Sequence, residues 1–470
     1  MTFLGAVKQF ARTRFPRAFT LARDAKDRLV IEWRVIRHLR PRDFGRALTS
    51  RRASLADLPS QRTRRFDVSV TLDGVLNASS EVVSGGHAVY LTPGAWRSSA
   101  LNQLCAKYPE NSGIKIVKNP GTVSEGDYVA KGVHSQVQRY MLHSHPHLTL
   151  VANALHTQGI GPRLYDLIEI GFADGVRVAY VSEHLEGRTP NDAQWTEGMR
   201  ALRALRDNDV LAVVAPSGFD HDDFRRPDCN GNAFVDGAGH FGYVDFQNFV
   251  LGDYSNYLLR VAREASASTH YGQSSWLRGG RYLYQSVPGL NVAAKRDVGR
   301  RADVLVEMVR AAGATIDGAI VLDVGCNLGM MMAAYLRAGA AWCHGWDRAE
   351  VVPHTQRQML AIGCTRFSLT GGDITTERSL ENDLPRFLAG RAPLIVSYLA
   401  VRRHLGWLRS VTSLPWQALI YEGHEGESRE ETAGYLADIC AAAGASVAQV
   451  SSYRDGDSEP RELAVLLRAQ

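Results

Sequence analysis

Short apolar runs alternate with amphipathic stretches in a regular order from about residue 300 to the end of the chain. Five apolar runs occupy residues 319–324, 341–347, 367–373, 393–401 and 418–423, and stretches with helical periodicity follow the first two and the last. Parallel strands that are buried on both faces are apolar throughout and are joined by helical crossovers. The pattern therefore predicts a doubly wound, mostly parallel α/β domain over residues 300–470.

The preceding two thirds of the chain have a different pattern. Residues 66–275 mix short strand-like runs with helical stretches, residues 276–299 are rich in Gly, Ser and Arg, and residues 1–65 alternate apolar side chains with arginines. This order predicts four parts: a basic amphipathic helical extension over 1–65, an α+β domain over 66–275, a linker over 276–299 and the α/β domain over 300–470.

Composition places the chain among ordinary globular proteins. It has 470 residues, of which 45% are apolar and 22% charged, and its six cysteines are widely spaced without a C-x-x-C pair. These values exclude a single small module, a disulfide framework and a zinc ribbon. No apolar run reaches the length of a transmembrane helix, and the N-terminus lacks the apolar core of a signal peptide. We expect a cytoplasmic protein.

Positive charge is concentrated at the N-terminus. Residues 1–65 carry 17 Lys and Arg against 5 Asp and Glu, whereas the whole chain has a net charge of only +5. An amphipathic basic segment suits an anionic membrane surface, where the protein would be peripheral on the inner face, or an acidic partner protein. Packing of the extension on the protein's own domains is an equally good interpretation. Nucleic acid is disfavoured, because the segment matches no recognition module.

Glycines and carboxylates follow the first three predicted strands of the α/β domain. The strand at 319–324 leads into Gly325-Cys326-Asn327-Leu328-Gly329, the second strand ends at Asp347, and the third ends before Asp373. Ligands of open α/β sheets bind beyond the carboxyl ends of the strands, where glycines let backbone N–H groups approach closely. A carboxylate 18 residues after Gly329 is placed to accept hydrogen bonds from a ribose diol.

This pattern resembles the class I S-adenosylmethionine-dependent methyltransferases over about 170 residues, most specifically in VLDVGCNLG followed by Asp347. A dinucleotide-binding domain is disfavoured, because the loop is G-x-x-x-G and not G-x-G-x-x-G. The resemblance implies a Rossmann-like fold that binds S-adenosylmethionine. It implies that the methionine part lies among Asp323, Gly325, Asn327 and Gly329, the ribose at Asp347 and the adenine at Asp373.

The fourth and fifth predicted strands end near further candidates for catalysis. His404, Glu422 and His424 are placed to bind the methyl acceptor or to remove a proton from its hydroxyl group. A phosphate or carboxylate acceptor would need no base, and Arg402, Arg403 and the histidines would then hold it by charge. Structural roles for each of these residues remain an open alternative.

The middle segment has the residue types that phosphoryl transfer requires. A lysine, an acid, an asparagine and a second acid occur in that order at Lys131, Asp223, Asn232 and Asp245. The set resembles the small-molecule and sugar branch of the eukaryotic-like kinases, a bilobal fold that uses ATP and Mg²⁺. The resemblance implies that Lys131 contacts phosphates, Asp223 orients the acceptor, Asn232 and Asp245 bind Mg²⁺, and Glu183 to Leu185 form the adenine-facing hinge.

The kinase pattern departs from the family in three places. Asp223 and Asn232 are nine positions apart where the family has five, so either the loop contains an insertion or Asp228 with Asn230 is the better register. No glutamate is placed to pair with Lys131, for which Lys115 or Lys118 are alternatives, and NPGTVSEGD resembles a phosphate-covering glycine loop only loosely. Together the two domains resemble bifunctional kinase-methyltransferases of bacterial surface polysaccharide synthesis. That resemblance implies a glycan or small-molecule acceptor that is phosphorylated and then methylated. The alternative is a methyltransferase with a non-catalytic, pseudokinase-like module for substrate binding or scaffolding.

Overall fold

The computed structural model describes residues 63–77, 82–84, 88–117, 145–207, 211–213, 233–243, 249–251, 254–268, 283–292, 294–374, 380–391, 393–454 and 459–469. The predicted basic extension therefore lies outside the described residues except for its last three. Among the described residues, no helix combines the length and the apolar character needed to cross a membrane.

The first part of the described chain forms a six-stranded mixed sheet in the order β1-β5-β6-β4-β3-β2. β1 pairs in parallel with β5, and the other pairings are antiparallel. The strands are β1 (Arg64–Asp67), β2 (Val82–Ser84), β3 (Ala88–Leu91), β4 (Ser112–Val117), β5 (Leu164–Phe172) and β6 (Gly175–Glu183), and the short helices are α1 (Leu72–Asn77), α2 (Pro93–Ser98) and α3 (Asn102–Cys105).

A second group of elements comes from the middle of the chain. It contains two two-stranded antiparallel sheets, β7 with β10 and β8 with β9. The elements are α4 (His145–Thr157), α5 (Asp192–Asp207), β7 (Leu211–Val213), β8 (Ala233–Val235), β9 (Phe241–Tyr243) and β10 (Phe249–Leu251).

The last part of the chain begins with α6 and ends in a seven-stranded sheet. Before the sheet come α6 (Tyr254–Ser268), β11 (Leu283–Gln285), β12 (Ala294–Arg296) and α7 (Val298–Ala311). The sheet strands are β13 (Ile320–Val324), β14 (Trp342–Asp347), β15 (Phe367–Gly371), β16 (Leu394–Leu399), β17 (Ala418–Glu422), β18 (Ala445–Tyr453) and β19 (Arg461–Arg468). The helices between them are α8 (Met330–Arg337), α9 (Val352–Ala361), α10 (Arg402–Leu405), α11 (Arg409–Ser413) and α12 (Arg429–Ala443), with 3₁₀ turns at Leu380–Asp383 and Arg386–Leu388.

The seven strands have the order β15-β14-β13-β16-β17-β19-β18. β13 to β17 are parallel, and β19 runs antiparallel between β17 and β18. The strand order reverses direction at β13, which pairs with β14 on one side and with β16 on the other. Every residue of β13, β16 and β17 is buried, as expected for strands covered on both faces. The predicted doubly wound, Rossmann-like α/β domain is confirmed, and its topological switch point lies between β13 and β16.

Contacts divide the chain into two units that do not follow the predicted boundary at residue 275. One unit holds β1 to β6 together with residues 255–470, and the other holds α4, α5 and β7 to β10. Within the first unit, a single apolar cluster contains residues of both large sheets, and the rings of Tyr165 and Trp342 lie 6.4 Å apart. The kinase-like bilobal fold is not confirmed by this arrangement, and the predicted domain boundaries remain predictions.

A buried ionic cluster joins the two large sheets. The carboxylate of Asp166 accepts hydrogen bonds from Arg64 Nε at 3.0 Å and from the Tyr108 hydroxyl at 2.8 Å, and it lies 3.5 Å from Arg366 Nη1. Burial opposes the charge of Asp166, but Arg64 and Arg366 outweigh that effect and hold its pKa below the usual range. Such a cluster fixes the position of the six-stranded sheet on the α/β domain, because removing one partner would leave a buried charge uncompensated.

Candidate functional site

The loop that follows β13 depends on residues that tolerate left-handed backbone conformations. Gly325, Asn327 and Gly329 have φ values of 72°, 48° and 76°. Asparagine is one of the few residues other than glycine that visits this region readily. At Gly325 a side chain is excluded by space as well, since a Cβ atom there would lie 2.5 Å from Val401 Cγ1. The backbone of the loop can therefore lie directly at the carboxyl end of the sheet.

Asp347, at the end of β14, closes this loop. Its Oδ2 accepts a hydrogen bond from Asn327 N at 2.6 Å, and its Oδ1 accepts one from Arg348 N at 2.8 Å. Burial raises the pKa of Asp347, against these two backbone hydrogen bonds. A carboxylate has about four lone-pair sites, so two remain for a ligand. The position agrees with the predicted ribose-binding role, which remains a prediction.

Asp323 lies beneath the loop and is held by a chain of hydroxyl groups. Ser397 Oγ donates to Asp323 Oδ1 at 2.7 Å, and the Tyr335 hydroxyl lies 3.2 Å from Ser397 Oγ. Burial raises the pKa of Asp323 to about 7, against the opposing hydrogen bond from Ser397 and the positive charge of Arg301. Near neutral pH this carboxyl group is therefore poised between its neutral and its charged form.

A cavity of about 740 Å³ opens at the carboxyl ends of the parallel strands. Its size lies within the range of small-molecule sites. It brings together seven of the residues predicted from the sequence: Asp323, Gly325, Asn327, Asp347, Asp373, His404 and His424. The apolar side chains of Val351 and Ile374 also line it, as do Tyr284, Gln285, Arg296, Arg301 and Arg461.

One residue of the predicted donor site, Gly329, and one predicted base, Glu422, do not line the cavity. Gly329 is the N-cap of α8, and a Cβ atom there would lie 2.7 Å from Met359 Cγ. Its glycine is therefore required for packing between α8 and α9. Glu422 is fully buried behind the cavity wall.

Glu422 is enclosed by arginines. Its Oε2 accepts a hydrogen bond from Arg301 Nε at 2.6 Å, and its Oε1 accepts one from Arg461 Nη1 at 2.9 Å. Burial alone would raise the pKa of Glu422, but Arg301, Arg461 and Arg296 together hold it below its usual range. A carboxylate held ionised by two hydrogen-bonded guanidinium groups is a weak base. This environment favours a positioning role for Glu422 over the predicted removal of a proton from the acceptor.

The two predicted histidines lie beside each other. The ring centroids of His404 and His424 are 5.0 Å apart, and His424 Nε2 accepts a hydrogen bond from Arg403 N at 3.3 Å. Burial, followed by the effects of His404, Arg403 and Arg461, lowers the pKa of His424 to about 4. His424 is therefore neutral at physiological pH and offers a hydrogen bond without a charge.

The predicted anion-holding arginines already have other contacts. Arg402 stacks over the ring of Tyr435, with its Cζ 4.4 Å from the centroid. Arg403 Nε lies 3.0 Å from an oxygen of the buried Glu427 carboxylate. The cationic part of the cavity wall consists instead of Arg296, Arg301 and Arg461.

Sequence reasoning missed the residues that β11 and β12 contribute. These two short parallel strands lie within the predicted linker, and Tyr284, Gln285 and Arg296 on them line the cavity. Gln285 is only 5% exposed, and its Oε1 has no hydrogen-bond partner among the described residues. The aromatic run Tyr282-Leu283-Tyr284 is the one local signal that could have indicated a strand within the Gly- and Ser-rich stretch.

Most of the predicted kinase residues cannot be placed. Lys131, Asp223, Asn232 and Asp245 lie outside the described residues. Glu183 ends β6, and its side chain accepts a hydrogen bond from Arg163 N at 3.3 Å. The chain passes from one unit to the other directly after Leu185. Within the described ranges, no group of three or more His, Cys, Asp or Glu residues is arranged to hold a metal ion.

Comparison with known proteins gives matches to solved structures only. No protein-family model and no curated protein matches the chain. Magnesium protoporphyrin IX methyltransferase from Synechocystis PCC 6803 with bound S-adenosylmethionine is 18% identical, covers 36% of this chain and 79% of its own, and has a TM-score of 0.27. The methyltransferase domain of the bacterial protein CtHen1 is 16% identical, with coverages of 36% and 100% and a TM-score of 0.28. A tRNA methyltransferase of B. subtilis is 14% identical, with coverages of 37% and 68% and a TM-score of 0.27.

All three are methyltransferases, and each overlaps little more than a third of this chain. Identities below 20% and TM-scores below 0.3 do not decide what this chain does. Its function has to be argued from the residues that line its own cavity.

Proposed function

We propose that the α/β domain is an S-adenosylmethionine-dependent methyltransferase that methylates an oxygen atom. The observation that supports this proposal is the pairing of Asp347 with the loop at Gly325–Gly329 on the wall of one cavity. A nucleoside with an amino-acid tail needs a carboxylate for its ribose diol, apolar contacts for its base and polar groups for its tail. The cavity wall offers each of these.

The fit to such a donor rests on particular atoms. Asp347 has lone pairs left for a diol, and Val351 with Ile374 supplies apolar surface. Asn327 Oδ1 is buried and has no hydrogen-bond partner among the described residues, so it is available to an ammonium group. Bound there, S-adenosylmethionine would supply a sulfonium methyl group for transfer.

The residues of this chain would then act by position and charge. Gly325 lets the loop backbone lie directly against Val401 at the cavity wall. His404 and His424 line the same cavity and are placed to orient the acceptor. A general base is not required if the acceptor oxygen is already ionised.

Equilibrium dialysis with radiolabelled S-adenosylmethionine tests this proposal. We expect saturable binding of one molecule per chain and at least a tenfold loss of affinity in Asp347→Asn, because a hydrogen bond to a charged group contributes about 1.5–3 kcal/mol. Glu350→Gln is the matched control, since Glu350 is exposed and does not line the cavity. Equal affinities in the two variants, or no saturable binding to the unaltered chain, would contradict the proposal.

Phosphoryl transfer by the middle segment remains a prediction from the sequence. Nothing in the described part of the chain supports ATP or Mg²⁺ binding there, and a glycan acceptor has no structural support either. Binding of ATP with Mg²⁺ that is lost in Asp245→Ala would favour the two-enzyme interpretation. Unchanged methylation without ATP binding would favour a scaffolding module.

A further inference from the structure

One part of the cavity wall carries more positive than negative charge. Arg296, Arg301 and Arg461 all line the cavity, and the buried carboxyl groups near them are those of Glu422 and Asp323. Glu425 lies 3.6 Å from Arg461 Nη2 but is exposed, so water screens its charge. Three guanidinium groups beside two buried carboxyl groups, those of Glu422 and Asp323, leave a surplus of positive charge facing the cavity.

Two polar groups in this part of the wall have no hydrogen-bond partner among the described residues. They are Oε1 of Gln285, which is 5% exposed, and Nε of Arg296, which is also buried. Leaving a buried polar group unsatisfied costs about 1–3 kcal/mol, so such groups in a native protein call for an explanation. The carboxamide of Gln285 also carries an NH₂ group, which can donate hydrogen bonds to an oxyanion.

Neighbouring groups hold the side chains of this part of the cavity wall in place before a ligand binds. Arg296 is stacked on the ring of Tyr284, with its Cζ 5.7 Å from the centroid. Arg301 is fixed by its hydrogen bond to Glu422, and the two strands that carry Gln285 and Arg296 are paired in register. Fixed guanidinium groups suit planar or tetrahedral oxyanions, because their N–H groups form parallel charge-assisted hydrogen bonds.

We propose that Gln285 and Arg296, supported by Arg301 and Arg461, form the acceptor subsite, and that the acceptor is an anionic oxygen group, a carboxylate or a phosphate. The proposal rests on the proposed methyltransferase function and names its substrate class. The acceptor oxygen would use one of its own electron pairs to form the new C–O bond. The S–C bond of the donor would break with its pair remaining on sulfur, so that the sulfonium loses its positive charge and the reacting oxygen loses one negative charge.

This charge balance explains why the cavity needs no strong base. No proton leaves the acceptor, and the neutral His424 and the ion-paired Glu422 have none to remove. An alcohol acceptor would need a base at the reacting oxygen and would leave the surplus charge of the arginines unmatched.

The rival interpretation is that the arginines hold the carboxylate of the methyl donor itself. Two titrations distinguish this interpretation from the proposed acceptor subsite. Inorganic phosphate and, separately, acetate are titrated at constant ionic strength into full-length protein that is saturated with S-adenosylhomocysteine. We expect at least one of the two anions to bind saturably without displacing S-adenosylhomocysteine. Tighter binding of phosphate would indicate a phosphate acceptor, and tighter binding of acetate would indicate a carboxylate acceptor. Displacement of S-adenosylhomocysteine by the anion would overturn the proposal.

Matched variants locate the anion. Arg296→Gln should weaken anion binding tenfold or more, while Lys295→Gln, the exposed neighbour on the same strand, should stay within twofold of the unaltered chain. Gln285→Met, which keeps the side-chain volume and removes both polar atoms, gives a second variant if Arg296→Gln does not fold. All variants should keep their affinity for S-adenosylhomocysteine within twofold.

The outcomes separate the two proposals. If S-adenosylhomocysteine binds but neither anion does, or if Arg296→Gln and Lys295→Gln bind anions equally, the anionic acceptor is wrong and the methyltransferase assignment stands. If S-adenosylhomocysteine itself fails to bind the unaltered chain, the proposed function fails first.

Discussion

Replacing Asp323 by asparagine should stabilise the ligand-free protein, and the gain should grow with pH. The carboxyl group has a pKa of about 7 in the folded protein against 3.8 in the unfolded chain. Between these values the unfolded chain releases the proton and the folded protein retains it, so rising pH favours unfolding. Asparagine has no proton to release, and its Oδ1 can still accept the hydrogen bond from Ser397.

The size of this stabilisation follows from the difference between the pKa values of Asp323 in the folded and the unfolded chain. Three pKa units at about 1.4 kcal/mol each correspond to about 4 kcal/mol in total, and about 2–3 kcal/mol of this develops between pH 5 and pH 8. The free energy of unfolding of Asp323→Asn, minus that of the unaltered chain, should therefore widen by about that amount across this range. Above pH 8 the difference should become constant.

Urea unfolding followed by tryptophan fluorescence measures this difference, because Trp342, Trp346 and Trp416 are buried in the α/β domain. Asp317→Asn is the control, since Asp317 is exposed in the turn before β13 and its substitution should produce no such widening. A difference for Asp323→Asn that changes by less than about 1 kcal/mol between pH 5 and pH 8 would refute the reasoning. The carboxyl group would then be more solvated than its burial implies.

Two further substitutions test the site's architecture. Arg301→Met should lower the free energy of unfolding by about 3–5 kcal/mol, because the buried Glu422 carboxylate then loses one of its two hydrogen-bonded guanidinium partners. Urea unfolding measures this loss, and a loss below about 1 kcal/mol would contradict the expectation. Gly325→Ala should weaken S-adenosylhomocysteine binding at least tenfold in calorimetry, because its Cβ atom would meet Val401 at 2.5 Å in addition to the positive φ. Gly313→Ala shares the positive φ but has open space around it, so its affinity should stay within twofold, and equal losses in the two variants would argue against a steric role for Gly325.

The α/β domain could be predicted from the sequence because its signals are local. The strands β13 and β14, the loop at Gly325–Gly329 and Asp347 lie within residues 320–347, and the loop residues have the backbone conformations that glycine and asparagine favour. Asp323, Asp347 and Asp373 end or follow successive parallel strands, so the fold brings them to one edge. These residues line the cavity, and the binding roles that the resemblance implies for them stay predictions.

The cationic wall could not be predicted, because its contacts join distant parts of the chain. Arg301 and Glu422 are 121 positions apart, and Arg461 is 39 positions beyond Glu422. A single arginine in a sequence is most often solvated, and nothing local marks one that is buried against a carboxylate. The same holds for Asp166 and Arg366, which connect the two large sheets.

Gly, Ser and Arg dominate the composition of the segment around β11 and β12, which is typical of a linker. Its role arises from tertiary contact: Val298 N, at the start of α7, donates to Ser286 Oγ at 2.9 Å, next to the strand that carries Gln285. Composition reflects the local conformational preference of a segment in the unfolded chain. In the folded protein, the pairing of β11 with β12 places Gln285 and Arg296 on the cavity wall.

A crystal structure of the full-length chain with S-adenosylhomocysteine tests the central claim most directly. The account predicts the ribose diol at the Asp347 carboxylate, the amino-acid tail near Asn327, and the Arg296 guanidinium free of the ligand's carboxylate. A ligand carboxylate held by Arg296 would contradict the proposed acceptor subsite. A ligand bound away from Asp347, or no ligand at saturating concentration, would contradict the methyltransferase assignment itself.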